Sequence, residues 1–277
     1  MADRDRIPFF KMHGGGNDFV LIDHRERFIP VPDQPRLAQR LCACKTGVGA
    51  DGLILIEHSD KADLGWRFYN ADGSQAEMCG NGARCAARFA VLNGLAQPRL
   101  SLETLAGVIH AEVQDRVARV LMTGVGEFRL HLDIPVKDLT LHGHFMKVGV
   151  PHTVVPVKNL EEVPVVEWGR AVRFHPMFQP AGTNCNFAAV TGPHALALRT
   201  YERGVEDETL ACGTGAVAAA LISARLGKVT SPVLVHTRGG EVLTVSFQAQ
   251  GEAISEVFLE GEALVVYQGE LWMEEIK

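Results

Sequence analysis

The sequence predicts an α+β (mixed α/β) fold made of two pseudo-symmetric halves that arose by internal duplication. Three observations carry this. Cys79-Gly80-Asn81-Gly82 opens the run Ala83 to Phe89, and Cys212-Gly213-Thr214-Gly215 opens the run Ala216 to Leu221. Each copy sets a thiol before a glycine-flanked turn into an alanine-rich helix. Each helix then meets a glycine, Gly94 or Gly227, where a left-handed cap would end it. Finally, the same order of strands and turns follows both helices. The copies lie close to half a length apart in a chain of 277 residues.

The elements follow in chain order. Phe9 to Met12 reads as a strand, His13-Gly14-Gly15-Gly16-Asn17-Asp18 as a turn, and Phe19 to Asp23 as a second strand. The glycines imitate a phosphate loop, but that motif needs Gly-Lys-Ser/Thr opening a helix, and a β-rich run follows here. They suit close backbone approach to a small ligand, with the Asn17 amide as donor. Pro35 to Cys44 has the spacing of an amphipathic helix, which Leu37 and Leu41 begin and which includes Cys42 and Cys44. Leu53 to Ile56 reads as a buried strand and Trp66 to Asn70 as an alternating one, before Ala71-Asp72-Gly73 turns toward Cys79. After the first cysteine helix come Leu100 to Gly107, Val108 to Val113 and Val117 to Met122. After the second come Val233 to Gly240, Glu241 to Phe247 and Ser255 to Gly261. Val148 to Val157 takes the place of the Asn17 segment in the second half, and Val165 to Phe174 that of the Pro35 helix. The seam is expected near 123–133, which gives domains 1–128, carrying Cys79, and 129–277, carrying Cys212. The last strand, about 267–277, is expected to pack back onto the first domain.

Composition narrows the function. Apolar residues make up 47% and charged residues 22%, and the formal charge is −6. That balance is ordinary for a soluble globular chain and argues against nucleic acid or an anionic membrane as partner. No apolar run approaches the roughly 20 residues that span a bilayer. The opening Met1-Ala2-Asp3-Arg4-Asp5-Arg6 is charged with no apolar signal segment behind it, so a cytoplasmic location is expected. Six cysteines are too few for a disulfide scaffold. No Cys-x-x-Cys and no short-spaced His/Cys set marks a metal site. Cys42, Cys44, Cys85 and Cys185 read as core or boundary residues.

Cys79 and Cys212 read differently. A thiol at a helix N-terminus sits beside unpaired N–H groups and the positive end of the dipole, which favour the thiolate. The same N–H groups bind a carboxylate. Two such helices would hold one carboxylate with a thiol on each face of the carbon that bears it. One thiolate would remove the α-proton and the other thiol would return a proton from the opposite side, inverting the centre. The amides of Gly80, Asn81, Gly213 and Thr214 would meet the charge that develops.

The chain resembles the diaminopimelate epimerases, cofactor-independent amino-acid epimerases of lysine biosynthesis. The likeness runs along essentially its whole length. It is densest at Lys11-Met12-His13 to Asn17-Asp18-Phe19, Asn70 to Ser74, Cys79 to Arg84, Tyr201-Glu202-Arg203-Gly204 and Glu208 to Gly215. The resemblance implies two domains, each a mixed, barrel-like sheet wrapped around a central helix, with the substrate in the cleft between them. It implies conversion of LL-2,6-diaminopimelate to the meso form with no pyridoxal phosphate, no other cofactor and no metal. Cys79 would be the proton donor and Cys212 the acceptor in that direction, with His152 and Glu202 assisting. Asn17, Asn70, Asn184, Glu202 and Arg203 would match substrate-binding positions, with Arg203 suited to the distal carboxylate and Glu202 to an ammonium group. A homodimer acting on a small molecule is expected.

Two positions depart from a common form of the family pattern. Gly149-Val150-Pro151-His152 stands where many relatives have Gly-Asn-Pro-His, and Gly52 where some have glutamine. Both fall on the binding side. Within the same fold a proline or hydroxyproline epimerase is the rival reading, which Glu202-Arg203 and the asparagines disfavour. A thiol redox or metal-binding protein is the alternative from another class.

Overall fold

A computed structural model describes residues 6–251 and 253–272. The charged opening, residues 1–5, and the end of the expected last strand, 273–277, lie outside the described residues. The chain divides into two compact units, residues 1–120 with 262–277, and residues 121–261.

The first unit contains β1 (Arg6–Gly14), β2 (Asn17–Asp23), α1 (Gln34–Cys42), β3 (Gly52–Glu57), β4 (Leu64–Asn70), α2 (Gly80–Leu92), β5 (Arg99–Thr104), β6 (Gly107–Gln114) and β7 (Val117–Leu121). β1 and β2 form a hairpin; β2 runs parallel to β3, β3 antiparallel to β4, β4 parallel to β5, and β5 to β7 form a meander. A parallel pair needs a long crossover, and α1 and α2 lie in the two crossovers. The outer edge of β1 pairs with the last strand, Leu264–Trp272.

The second unit repeats this order. It contains β8 (Val125–Val136), β9 (Leu139–Val148), β10 (Val150–Pro156), α3 (Val165–Arg173), β11 (Asn184–Gly192), β12 (Ala195–Glu202), β13 (Asp207–Thr209), α4 (Gly213–Arg225), β14 (Val233–His236), β15 (Val242–Gln250) and β16 (Ala253–Glu262). β9 pairs with β10, β10 runs parallel to β11 across α3, and β12 runs parallel to β14 across α4. β8 pairs with β9 as the last strand pairs with β1.

Side-chain alternation decides what each sheet face covers. In the first unit Val20, Ile22, Leu53 and Leu55 pack with Leu37, Ala38 and Leu41 of α1. Their neighbours Phe19, Leu21, Ile54 and Ile56 pack with Ala83, Ala86, Ala87 and Ala90 of α2. In the second unit Cys185, Phe187 and Ala189 pack with Val165 and Val172 of α3, while Ala188 faces Ala216 to Ile222 of α4. Residues covered on both faces explain the unbroken apolar run of β3. The helices α2 and α4 are buried on nearly every side, and their alanines let the sheet approach closely.

Both central helices end as their glycines predict. Gly94 and Gly227 take positive φ of 66° and 68°. Leu95 and Lys228 donate back to the carbonyls of Ala90 and Ser223, and the two glycines donate to Val91 and Ala224. This is the Schellman arrangement, which satisfies the last carbonyls.

Two expectations need correction. Cys44 is neither helical nor buried: α1 stops at Cys42, Ala43 turns extended, and Cys44 sits exposed in the turn that follows. The carbonyls of Leu41, Cys42 and Ala43 accept from Gly49, Ala50 and Gly47, so the chain folds back over the helix end. The long hairpin β8–β9 is also absent from the sequence reading. Its register shifts at Gly126/Phe128 and Arg129/Leu132 and the positive φ of Glu127 and His131 interrupt the alternation that marks a strand.

Candidate active site

In the first unit Cys79 is the N-cap of α2, extended at φ −141°, ψ 123°, and its carbonyl accepts the first helical bond from Ala83. Its sulfur accepts from the Gly82 N–H at 3.5 Å and lies 3.4 Å from Asn17 Oδ1. Asn81 Nδ2 also reaches Asn17 Oδ1, at 3.4 Å. Asn17 is held from its other end, where Nδ2 donates to Asp51 Oδ2 at 2.6 Å. Asp51 is itself fixed by exchange with Asp18, whose carboxylate pairs with the buried Lys11 ammonium at 2.7 Å. Lys11 Nζ also donates to the Gly49 carbonyl. Asn81 Oδ1 is buried with no hydrogen-bond partner among the described residues.

Asn70 adjoins that cluster through its neighbour Ala71, whose N–H donates to the Asp51 carbonyl at 2.9 Å. Asn70 is exposed at the end of β4, opposite Gly52, and its amide donates to Ser74 Oγ at 3.0 Å. Gly52 faces the same side of the sheet as Ile54 and Ile56, toward α2. A Cβ there would lie 2.5 Å from Phe68 Cε2 and 2.8 Å from the Tyr69 carbonyl, so the Phe68 ring fills the place a glutamine would need.

In the second unit Cys212 is the N-cap of α4 and its carbonyl accepts from Ala216. Its sulfur lies 3.7 Å from Thr214 Oγ1. Asn184 joins three segments: its Oδ1 accepts from the Arg203 N–H at 2.7 Å and its Nδ2 donates to the Pro151 carbonyl at 3.2 Å. Arg203 Nη1 donates to the Ala181 carbonyl at 2.9 Å. Glu202 Oε2 accepts from Thr209 Oγ1 at 2.9 Å. A pocket of about 470 Å³ beside these residues is lined by Arg203, Lys147, Arg129, Glu127, Val150 and Phe178, among others. Its cations outnumber its one carboxylate.

His152 is fully buried on β10. Burial, helped by the Arg203 charge, pushes its pKa down to about 3, so the ring is neutral. Its Nδ1 lies 3.3 Å from Asn186 Nδ2, and its Nε2 is buried with no hydrogen-bond partner among the described residues.

The structure therefore gathers Asn17, Cys79 and Asn81 in one unit, and Asn184, Arg203 and the Pro151-His152 segment in the other. Gly80, Gly213 and Thr214 occupy the first turns of the two cysteine helices. Sequence reasoning passed over Lys11, Asp18 and Asp51 as a support for Asn17, and Asn186 as the neighbour of His152. One signal for Asn186 was present: asparagines at 184 and 186, two apart in an apolar strand, must point to one face.

Among solved structures, the chain is similar to a PhzF-family phenazine biosynthesis protein from Bacillus anthracis, with a TM-score of 0.74 at 16% identity over 96% of this chain and 99% of that one. It is also similar to a hydroxyproline epimerase from Agrobacterium vitis with bound trans-4-hydroxy-L-proline, with a TM-score of 0.72 at 17% identity over 99% and 94%. At those identities the likeness is one of fold: two repeated strand-rich α/β units. The diaminopimelate epimerase family pattern matches residues 9–128 and 144–266. The diaminopimelate epimerase of Aquifex aeolicus is 47% identical over 96% of this chain and 98% of its own. That of Archaeoglobus fulgidus is 41% identical over 98% and 99%. The chain belongs to the diaminopimelate epimerase family.

Proposed function

We propose that the protein interconverts LL-2,6-diaminopimelate and meso-diaminopimelate by two-base proton transfer without pyridoxal phosphate, in lysine and peptidoglycan precursor biosynthesis. In the LL-to-meso direction the Cys212 thiolate takes the α-proton, leaving the electron pair on the carbon and its carboxylate. The Cys79 thiol then gives its proton to the opposite face. One thiol and one thiolate remain, with their roles exchanged.

The observation that carries this reading is the repeated N-cap. In a chain of this family, each unit places a cysteine sulfur at the head of its own buried helix. The first N–H groups of a helix have no intrahelical partner, so Gly80, Asn81, Gly213 and Thr214 offer donors where carboxylate charge grows. Asn17, Asn70 and Asn184 supply amide contacts, Glu202 meets an ammonium group, and His152 donates from its buried ring. Arg203 takes the distal carboxylate, a role the cation-rich pocket beside it supports. The same reading carries a cytoplasmic homodimer, and sedimentation as a monomer at assay concentration overturns that part.

The test is incubation with LL-diaminopimelate in D₂O with no added cofactor. Deuterium enters the α-carbon as the meso isomer appears, and Cys79→Ala and Cys212→Ala each abolish epimerisation while the circular dichroism is unchanged. Near-normal turnover in either variant overturns the two-base reading. A proline-type activity on the same fold is the second reading. Turnover of trans-4-hydroxy-L-proline with none of diaminopimelate would establish it.

A further inference from the structure

We infer that Asn186 is a positioning residue that locks His152 in one tautomer, with its proton on Nε2, as a fixed donor to a carboxylate oxygen beside Cys212. This deepens the proposed function and rests on the role given there to His152.

Thr153 O can only accept, and Asn186 Nδ2 lies 3.1 Å from it. That fixes which end of the amide is nitrogen, because the flipped amide would set two acceptors against each other. The far end agrees: Asn186 Oδ1 accepts from Thr200 Oγ1 at 3.0 Å. The second hydrogen of Nδ2 then points to His152 Nδ1 at 3.3 Å. Nδ1 must therefore accept, and in a neutral imidazole the proton is left on Nε2. All of these groups are buried, Asn186 and His152 completely. Burial also holds the ring neutral, with a pKa near 3.

A buried N–H with no partner among the described residues is costly, and Nε2 is such a group. A ligand that accepts there relieves the cost, and a carboxylate oxygen is the acceptor that the reaction supplies. Proximity to the thiol comes from Gly215. A Cβ built on that residue would lie 2.3 Å from Asn186 Oδ1 and 3.2 Å from Cys212 Sγ. The amide that orients His152 thus shares one notch of α4 with the sulfur.

The experiment joins spectroscopy to kinetics. In ¹⁵N-histidine protein, long-range ¹H–¹⁵N correlation reports which nitrogen of each ring is protonated; His152 is assigned among the eleven histidines by its loss in His152→Gln. Wild type is expected to show the Nε2–H pattern. In Asn186→Asp the carboxylate accepts from the ring, so His152 is expected to switch to Nδ1–H. kcat then falls by about a hundredfold, the low end for loss of a positioned proton-donating group, while KM changes much less. An Nδ1–H pattern in wild type overturns the tautomer lock and needs no variant to fold. A switched tautomer with unchanged kcat overturns the positioning role. His152→Gln separates the two levels: if it retains wild-type kcat, the role given to His152 fails, whatever the spectrum shows of Asn186.

Discussion

Asn186 Oδ1 lies 2.3 Å from the point where a Cβ on Gly215 would stand, so this helix position must be glycine for the site to keep its shape. The matching position in the first unit is looser: a Cβ on Gly82 would lie 3.3 Å from Ile54 Cδ1 and 3.5 Å from Cys79 Cβ. Alanine favours a helix over glycine by about 1 kcal/mol, so Gly82→Ala should leave the melting temperature unchanged or slightly higher. Gly215→Ala should push the Asn186 amide and the Cys212 sulfur apart. A displacement of about 1 Å can cost on the order of a hundredfold in rate. Parallel measurement of kcat and Tm checks the contrast, and equal effects at both sites contradict it.

Three buried imidazoles, His24, His144 and His152, weigh on the pH response of stability, and burial lowers the pKa of each. Burial drives the His152 pKa down to about 3 and lowers that of His24, where the Glu57 carboxylate only partly opposes it. The unfolded rings titrate near the usual value of about 6.5. Below that pH the unfolded chain binds protons that the folded chain refuses, so unfolding becomes easier as pH falls. The stabilisation is whole above about pH 6.5 and declines as pH falls, for His152 down to about pH 3, at up to about 1.4 kcal/mol per pH unit. Carboxylates such as Asp63, held low by hydrogen bonds from Ser101, lose their share only in more acid solution. Urea unfolding at pH 7.5, 6.0 and 5.0 should show the decline, and His152→Gln should flatten it. Stability that rises on acidification through this range would contradict the sign.

Arg203 and Val150 line the same pocket with unequal consequences. A hydrogen bond to a charged group contributes about 1.5–3 kcal/mol and a neutral one about 0.5–1.5. Arg203→Ala should therefore raise KM for LL-diaminopimelate roughly 10- to 150-fold. Val150→Asn should lower it by no more than about tenfold, and Arg203→Lys should recover little, since an ammonium cannot make paired bonds. Wild-type KM in Arg203→Ala would move the distal carboxylate elsewhere.

Glu57 anchors one end of β3. It lies 2.9 Å from His24 Nδ1 and 3.1 Å from Arg67 Nε, while Ile29 N–H donates to His24 Nε2 at 2.9 Å. Glu57→Ala leaves Arg67 and the His24 Nδ1–H without their carboxylate. The buried His24 N–H is left unsatisfied while Arg67 turns to solvent, a cost of roughly 1–3 kcal/mol. Urea denaturation measures it, and a loss below about 1 kcal/mol, the level of an exposed pair, would place the group effectively in solvent.

What was legible in the sequence was local. The cysteine N-caps, their alanine helices and the closing glycines are written within about sixteen residues of one another, and β3 announces itself as an unbroken apolar run. The β8–β9 hairpin was hidden because bulges and left-handed residues such as His131 break its alternation. The amphipathic spacing of α1 overran its end because a reversal at Ala43 leaves no mark on hydrophobic period, and Cys44 was drawn into the helix by it. The support around Asn17 escaped for a different reason: Lys11, Asp18 and Asp51 meet only after β1, β2 and β3 have paired. Asn186 likewise gains its meaning from β10, a parallel neighbour that no local pattern specifies.

The strand Leu264–Trp272 completes the sheet of the first unit along β1, yet residues 121–261 must be synthesised before it exists. On the ribosome the first unit can begin its helix-centred core early, but the outer edge of β1 stays open until residues 264–272 have been made. Open edges template association between nascent chains. Closing the sheet of the first unit is thus a zippering of residues 264–272 onto β1.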